Sequence, residues 1–329
     1  REPYQLGLDA RLARLTIGPA SWQDVVLELF ADRELDELVP RICRTTGVDP
    51  ASYGFGGTPA PTLPVGPVGF RGGAGEGLQA LLLAMPPGGT VVLAQRSVTR
   101  LTQPLVVPAG VTLTTAGAPG PRQYADMGRL VRATPYTGDA VYVGPGAKLQ
   151  NVWFDGQLGD PLSGRWSSNA PGLVLQGGPG TELRDSRVSN TNGHRAVYVA
   201  GAGLGGAGCV PGAAGLESLV VGNLITAYGG AHYDKPDGGH YVQDGISVAC
   251  GNTIVSGNTV VDSTDVAIIV FFEPAGQHSK VLGNTVVQAG LSSWAAYSAS
   301  GEGAGHDVTR TVPLDFSGTR ITDNGYWTS

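Results

Sequence analysis

Residues 251–265, GNTIVSGNTVVDSTD, carry the same short pattern twice and indicate the fold. NTIVSG is followed directly by NTVVDST, and the closely similar GNTVVQAG begins at residue 283. An Asn-Thr unit followed by two β-branched residues is typical of a short strand that begins at a turn. Its return at such short intervals predicts a solenoid, in which each repeat packs only against its neighbours.

The repeat extends over more than half of the chain. Six segments align without gaps, at 147–156, 181–190, 218–227, 253–262, 279–288 and 319–328. A second short strand pattern precedes each of them, at 140–144, 172–176, 196–200, 245–249, 267–271 and 295–299. The starts at 245 and 267 are 22 residues apart, which suits one coil of three short strands and three turns.

Four asparagines fall at the same position of successive repeats: Asn223, Asn258, Asn284 and Asn324. Asn bridges backbone groups at turns, and its side chain can bond to its counterpart in the next coil. We therefore predict a structural stack of asparagines at one turn, with the Val and Ile positions filling the interior. The repeat itself does not indicate any catalytic function.

Composition narrows the class of protein. The chain has 52 Gly and only 15% charged residues, which fits many short strands joined by turns. Its net charge of −6 disfavours a nucleic acid or an anionic membrane as partner, and no run of apolar residues is long enough to span a membrane. Cys43, Cys209 and Cys250 allow one disulfide at most; Cys209–Cys250 is one possibility, and free buried thiols are the other.

The first part of the chain differs from the rest. Apolar residues at helical spacing between 21 and 47 predict one or two helices, and a Pro/Gly-rich linker follows them. We interpret residues 1–72 as a helical N-terminal extension with its linker, and 73–329 as the solenoid domain. The extension is expected to cap the open end of the core; a role in substrate binding is the alternative.

The segment 77–117, GLQALLLAMPPGGTVVLAQRSVTRLTQPLVVPAGVTLTTAG, resembles the opening coil of pectate-lyase-like proteins. That resemblance implies an all-β, right-handed parallel β-helix, and carbohydrate polymers as substrates of hydrolases, lyases or epimerases. It also gives the expectation of a bacterial-type protein that is secreted or displayed at the cell surface. The chain lacks the paired arginines of pectate lyases and the catalytic motifs of polygalacturonases, so no catalytic residue is carried over.

Alternation along the strand that precedes each repeat assigns the outward positions. These are Tyr142, Val174, Tyr198, Ser247, Ile269 and Tyr297. The turns just before these strands add Asp139, His194, Arg195, Gln243, Asp244, Asp265 and Trp294. Neighbouring coils are about 4.8 Å apart, so these turns are predicted to place polar and aromatic groups within reach of one sugar-sized ligand.

Two inserted loops, at 202–215 and 228–245, flank the same region, and residues 271–278 add to it. Residues 228–245 bring Asp234, Lys235, His240 and Tyr241, and residues 271–278 bring Glu273. Long loops on a rigid scaffold are where function concentrates, although solvated turn residues are the alternative interpretation. We predict substrate-binding roles for Arg195, Tyr198, Asp234, Lys235, His240, Tyr241, Trp294 and Tyr297.

Two mechanisms use residues of these types. Glycoside hydrolysis needs two carboxyl groups, which Asp244 and Asp265 supply, with His194 and Glu273 as further catalytic candidates. Elimination or epimerisation of a uronate needs a base, such as His194, Tyr198, His240 or Lys235, and a cation such as Arg195. Net acidity and only three Lys favour the hydrolase over the polyuronate lyase. A non-catalytic, glycan-binding β-helix is the third hypothesis.

The expected partner is a polysaccharide or oligosaccharide, and no cofactor is expected. Residues 155–160 and 234–239 carry oxygen ligands in turns, which makes calcium a candidate. Neither has the spacing of a standard calcium loop, and turn chemistry is the alternative explanation.

Overall fold

The chain winds into three parallel β-sheets that run along one axis. The computed structural model describes residues 67–133, 140–157, 172–191, 194–200, 217–226, 233–234, 240–241, 243–271, 278–289, 293–300 and 320–328. Each complete coil contributes one strand to each sheet in turn, so every sheet pairs each coil with the next. This arrangement confirms the predicted parallel β-helix.

Strands are numbered in chain order. The first sheet contains β1 (Val68–Phe70), β3 (Thr90–Leu93), β6 (Thr112–Thr115), β9 (Lys148–Gln150), β12 (Glu182–Arg184), β15 (Ser218–Val221), β20 (Thr253–Ser256), β23 (Lys280–Leu282) and β26 (Arg320–Thr322). The second contains β2 (Gly73–Ala74), β4 (Val98–Leu101), β7 (Gly128–Arg132), β10 (Val152–Asp155), β13 (Arg187–Ser189), β16 (Leu224–Thr226), β21 (Thr259–Val261), β24 (Thr285–Gln288) and β27 (Gly325–Thr328). The third contains β5 (Leu105–Val107), β8 (Val141–Val143), β11 (Leu173–Gln176), β14 (Arg195–Ala200), β19 (Asp244–Ala249), β22 (Val266–Phe271) and β25 (Ala295–Ser300).

Little helix accompanies the sheets in the described part of the chain. Helix α1 (Gly75–Ala84) places Leu78 and Leu82, one turn apart, in the core near β4 and β5. A 3-10 helix, Pro121–Asp126, precedes β7. The helices predicted between residues 21 and 47 lie outside the described residues. Within the predicted linker, β1 already pairs with β3 of the first sheet.

Columns of apolar side chains fill the interior. In the first sheet, Leu149, Leu183, Val220 and Val255 stand in register on successive strands. All four side chains are almost completely buried. Alternation along each strand points one face inward, and parallel pairing repeats that face from coil to coil. The repeated Val and Ile positions of the sequence are therefore core.

The predicted asparagine stack lies at the turn between the first and second sheets. Asn258 Oδ1 accepts hydrogen bonds from the backbone N–H of Asn223 at 3.0 Å and from the Asn223 side-chain amide at 2.9 Å. Its own Nδ2 donates to the carbonyl of Val220 at 2.8 Å and to Asn284 Oδ1 at 2.9 Å. Asn284 repeats the arrangement with Asn324. Asn223, Asn258 and Asn284 are buried, so the stack supplies hydrogen bonds that the turn would otherwise lack.

Cys250 is buried and disulfide-bonded. Both other cysteines, Cys43 and Cys209, lie outside the described residues. The bond excludes the expectation of a free thiol at Cys250, and the pairing with Cys209 remains a prediction. No helix in the described part of the chain is long and apolar enough to cross a membrane.

Candidate functional site

The turns that lead into β14, β19, β22 and β25 lie side by side at one edge of the third sheet. The backbone N–H of Asp244 donates to the carbonyl of His194 at 2.8 Å, and that of Asp265 donates to Gln243 at 3.1 Å. The N–H of Trp294 continues this line by donating to the carbonyl of Asp265 at 2.9 Å. Four candidate residues from distant parts of the sequence therefore share one edge.

His194 and Asp265 form a side-chain pair at this edge. His194 Nε2 lies 3.3 Å from Asp265 Oδ2. The residues belong to the coils of β14 and β22, with the coil of β19 between them, so their backbones are roughly 10 Å apart. Their side chains span that gap, and Gln243, on the coil between them, is fully buried. Side chains of His194 and Asp265 keep 35% and 23% of their surface exposed, so the pair is accessible to a ligand.

Asp244 occupies a different environment from Asp265. It is only 3% exposed. Its Oδ2 accepts a hydrogen bond from the hydroxyl of Ser247 at 2.7 Å, and its Oδ1 accepts one from the backbone N–H of Val266 at 3.2 Å. Burial, followed by the negative charge of Asp265, raises the pKa of Asp244 to about 6. Both carboxylate oxygens of Asp244 thus accept hydrogen bonds from the protein itself.

Arg195 supplies a cation that no carboxylate of the described residues neutralises. It stands in register with Asp244 on the neighbouring strand, yet no carboxylate in the described part of the chain lies within ion-pair distance of its guanidinium. The guanidinium carbon instead lies 4.5 Å from the ring centre of Tyr198 and 5.6 Å from that of Phe271. Arg195 Nε is buried and has no hydrogen-bond partner among the described residues. Two aromatic rings therefore hold the side chain while its charge remains available.

The outward face of the third sheet follows the predicted register over five strands. Tyr142, Val174, Tyr198, Ser247 and Ile269 are paired in that order. Val174, Ser247 and Ile269 are nevertheless buried, whereas Tyr142 and Tyr198 are half-buried. The accessible part of this face is therefore concentrated around β14 and the turns beside it.

The prediction that Tyr297 faces outward is wrong by one residue. Ser298 pairs with Ile269 in the outward row, and Tyr297 pairs with the core residue Ile268. The Tyr297 hydroxyl donates to the carbonyls of Asn284 at 3.2 Å and Gly325 at 3.0 Å, and burial raises its pKa to about 12. Alternation alone misled the prediction because residues 295–299 (AAYSA) have no clear apolar face and Tyr can bury its ring while its hydroxyl bonds to the backbone.

Trp294 is far more exposed than Tyr297, with 87% of its surface accessible to solvent. Its backbone is bonded to Asp265, so the indole lies on the coil next to the His194–Asp265 pair. An exposed Trp at the edge of a polar site is suited to stacking on a sugar ring.

The other predicted site residues lie in the inserted segments 228–245 and 271–278. Asp234 and His240 pair in a two-stranded antiparallel hairpin, β17 (Tyr233–Asp234) with β18 (His240–Tyr241). Lys235 and Glu273 lie outside the described residues, and so do residues 158–160 and 235–239 of the two predicted calcium segments. Among the residues that the structure describes, no three His, Cys, Asp or Glu side chains group as metal ligands.

Sequence reasoning named no role for two residues that shape the site. Ser247 bonds to the carboxylate of Asp244, and Phe271 lies beside the guanidinium of Arg195. Both lie on the outward side of their strands, and the strand register was the available signal. Their contacts depend on side-chain conformations that the register does not specify.

No family model matches this sequence, and the search of curated proteins gave no match. Among solved structures, the chain is similar to an alginate lyase from Paenibacillus sp. strain FPU-7, with 13% sequence identity and a TM-score of 0.32. The match covers 71% of this chain and 98% of that chain. A TM-score of this size does not establish a shared fold, so the fold assignment rests on the strand pairing described above.

Proposed function

We propose that the protein is a polysaccharide-active enzyme that cleaves an acidic glycan by β-elimination at a uronate residue. The observation that carries this proposal is the partly exposed His194–Asp265 pair beside Arg195, whose guanidinium has no carboxylate partner in the described part of the chain. Elimination needs a base and a cation that neutralises the substrate carboxylate, and this edge offers both.

His194 is the proposed base. A proton on Nε2 is held by the carboxylate of Asp265, which leaves Nδ1 as the lone pair that accepts a proton. Once Nδ1 is protonated, the negative charge of Asp265 stabilises the imidazolium. The 3.3 Å separation is long for a charge-assisted hydrogen bond, and catalytic hydrogen bonds commonly shorten when substrate binds.

Arg195 is the proposed partner of the substrate carboxylate. Removal of the proton α to a carboxylate builds additional negative charge on that group, and a fixed guanidinium stabilises it. The planar guanidinium binds a carboxylate through two parallel hydrogen bonds. Stacking on Tyr198 and Phe271 fixes the side chain before substrate arrives, so little side-chain entropy is lost on binding.

The reaction balances with these groups. The C5 proton of the uronate passes to His194 Nδ1, its electron pair forms the C4–C5 double bond, and the C4–O bond breaks. The leaving oxygen takes a proton from the hydroxyl of Tyr198, a half-buried residue that lies on β14 together with Arg195. Proton exchange with solvent then restores both residues.

The geometry gives less support to glycoside hydrolysis by Asp244 and Asp265. That reaction needs a carboxylic acid in contact with the glycosidic oxygen and a second carboxylate at the sugar. Asp244 is buried, and both of its oxygens accept protein hydrogen bonds. We assign Asp244 a positioning role beneath the site, where it supports the turn that carries Asp265.

The test is product analysis with alginate, polygalacturonate and a neutral glucan. We expect the ultraviolet absorbance of an unsaturated uronide from an acidic substrate and none from the glucan. His194→Gln and Asp265→Asn should each lower kcat by roughly 10²-fold or more, as is common when a positioned acid–base group is lost. Arg195→Gln should raise KM as well.

Two control variants match these changes in charge. Asp323→Asn alters an exposed turn carboxylate, and Arg320→Gln alters an exposed arginine of the first sheet; both should retain activity. New reducing ends without an unsaturated product would instead identify a hydrolase. Inversion at C5 without cleavage would identify an epimerase, and binding without chemical change would identify a glycan-binding protein.

A further inference from the structure

A second group of cations and aromatic rings lies on the outward face of the second sheet. Arg129, Trp153 and Arg187 stand in register on β7, β10 and β13. Tyr124, from the 3-10 helix, meets Trp153 edge to face with ring centres 5.2 Å apart. We call these four residues the arginine–aromatic patch.

The two arginines of the patch differ in how their charges are balanced. Arg129 lies 4.2 Å over the ring of Trp153 and forms an ion pair with the buried carboxylate of Asp155. Asp155 also accepts a hydrogen bond from the side chain of Asn190 at 2.9 Å. The negative charge of Asp155 is therefore already balanced by Arg129 and further held by a neutral amide.

Arg187 has no such ion-pair partner among the described residues. Its guanidinium carbon lies 4.0 Å from the ring centre of Tyr124 and 5.4 Å from that of Trp153. Within the described part of the chain it has neither a hydrogen-bond acceptor nor a carboxylate at ion-pair distance, and its Nε is buried without an acceptor. Desolvation lowers the pKa of Arg187 below its usual range and outweighs the opposing effects of Tyr124 and Asp155, but an arginine stays charged at any physiological pH.

We propose that the arginine–aromatic patch is a second binding site, which takes an anionic sugar residue of a polysaccharide. The terminal nitrogens of Arg187 bind the carboxylate of the sugar through paired hydrogen bonds. The exposed part of Tyr124, which keeps 38% of its surface, contacts the sugar ring. Trp153 is fixed from below, since its Nε1 donates to Ser189 Oγ at 2.8 Å.

The chemistry of the patch selects this ligand class. A neutral sugar would leave the guanidinium of Arg187 unpaired, and its burial with the sugar would then cost free energy. A nucleic acid needs an array of cations along its backbone, whereas this patch has one unbalanced charge on a chain of net charge −6. An anionic sugar matches one guanidinium beside aromatic rings.

The arginine–aromatic patch and the edge of the third sheet that carries His194 lie on neighbouring faces of one coil. Strand β13 carries Arg187, and the next turn of the same coil carries His194. A polymer held at the patch would therefore have a raised local concentration at the edge. The proposal goes beyond the proposed reaction, because binding at the patch does not require any chemistry at His194.

The test is affinity electrophoresis through gels that contain polygalacturonate, alginate or a neutral glucan. A His194→Gln background prevents cleavage during the run, so retardation reports binding alone. In this background we expect Arg187→Gln to bind the acidic polymer on the order of tenfold more weakly, as the loss of a charge-assisted hydrogen bond predicts. Arg187→Lys should recover only part of the loss, because ammonium neither stacks as well nor binds in a bidentate manner.

Arg320→Gln removes the same charge from an exposed position on the first sheet and is the matched control. Equal loss of binding in the Arg320 and Arg187 variants would reduce the effect to net charge and overturn the proposal. Unchanged retardation of a folded Arg187→Gln variant would overturn it as well. Because the assay measures binding and not product, its outcome is separate from that of the elimination test.

Discussion

The buried carboxyl of Asp244 makes the stability of this protein depend on pH in an unusual direction. Its pKa is raised from 3.8 to about 6 in the folded chain, mainly by burial and then by the charge of Asp265. The folded state therefore binds more protons than the unfolded state between these two pH values. The contribution of Asp244 to the free energy of unfolding is fully present below pH 4 and is lost as pH rises toward 6.

The magnitude follows from the size of the shift. Each pKa unit corresponds to 1.36 kcal/mol, so ionisation of Asp244 destabilises the folded state by about 3 kcal/mol at neutral pH. Asp244→Asn removes the ionisation and keeps the shape. Its amide oxygen can accept from Val266, and its amide nitrogen can donate to the hydroxyl of Ser247. We expect the variant to match the wild type near pH 4 and to exceed it by up to about 3 kcal/mol at pH 7.

The assay is guanidinium unfolding of both proteins, followed by circular dichroism at a series of pH values between 4 and 8. The difference between the two curves reports the ionisation of Asp244 together with its interaction with Asp265 and His194, because all other groups titrate in both proteins. Asp155→Asn is the control of opposite sign, since it removes an ion pair with Arg129 and should destabilise the fold at pH 7. A difference curve that is flat with pH, or an Asp244→Asn variant that is less stable at pH 7, would refute the reasoning.

Two further predictions concern the scaffold and the edge. Asn258→Ala removes the partners of several buried groups and should lower the free energy of unfolding by about 3 kcal/mol or more; Asn324→Ala, in the half-buried last position of the stack, should lower it by less in the same unfolding experiment. If both variants lost the same free energy of unfolding, burial would not determine how much each asparagine of the stack contributes. Trp294→Ala should change stability by less than about 0.5 kcal/mol, because the side chain is exposed, yet raise KM for a polymer several-fold with kcat retained. An unchanged KM for long substrates would remove Trp294 from the binding surface.

The arrangement of the candidate catalytic residues at the edge of the third sheet was only partly predictable from the sequence. Alignment of the repeats placed His194, Asp244 and Asp265 in neighbouring turns, and the backbone hydrogen bonds of these turns follow that order. It treated the two aspartates as an equivalent pair, however. The environments of the two aspartates differ because Asp265 comes one residue too early along the chain to match Asp244. Asp244 is the register partner of Arg195 and bonds to the N–H of Val266, whereas Asp265 is the residue before Val266. Such an offset is below the accuracy of an alignment of short repeats.

Repetition of one short pattern was sufficient by itself to determine the architecture. Apolar residues that recur at the same position of every coil have one way to be buried together, and the asparagine of each turn has its counterpart one coil away. The chemical environments were decided only by the tertiary structure. Whether a carboxylate is buried and bonded to Ser247 or partly exposed beside His194, and whether an arginine meets a carboxylate or a ring, depends on side chains from coils that are far apart in sequence. The repeat constrains the backbone of those coils, but the free energies of burial and charge pairing depend on which side chains finally meet.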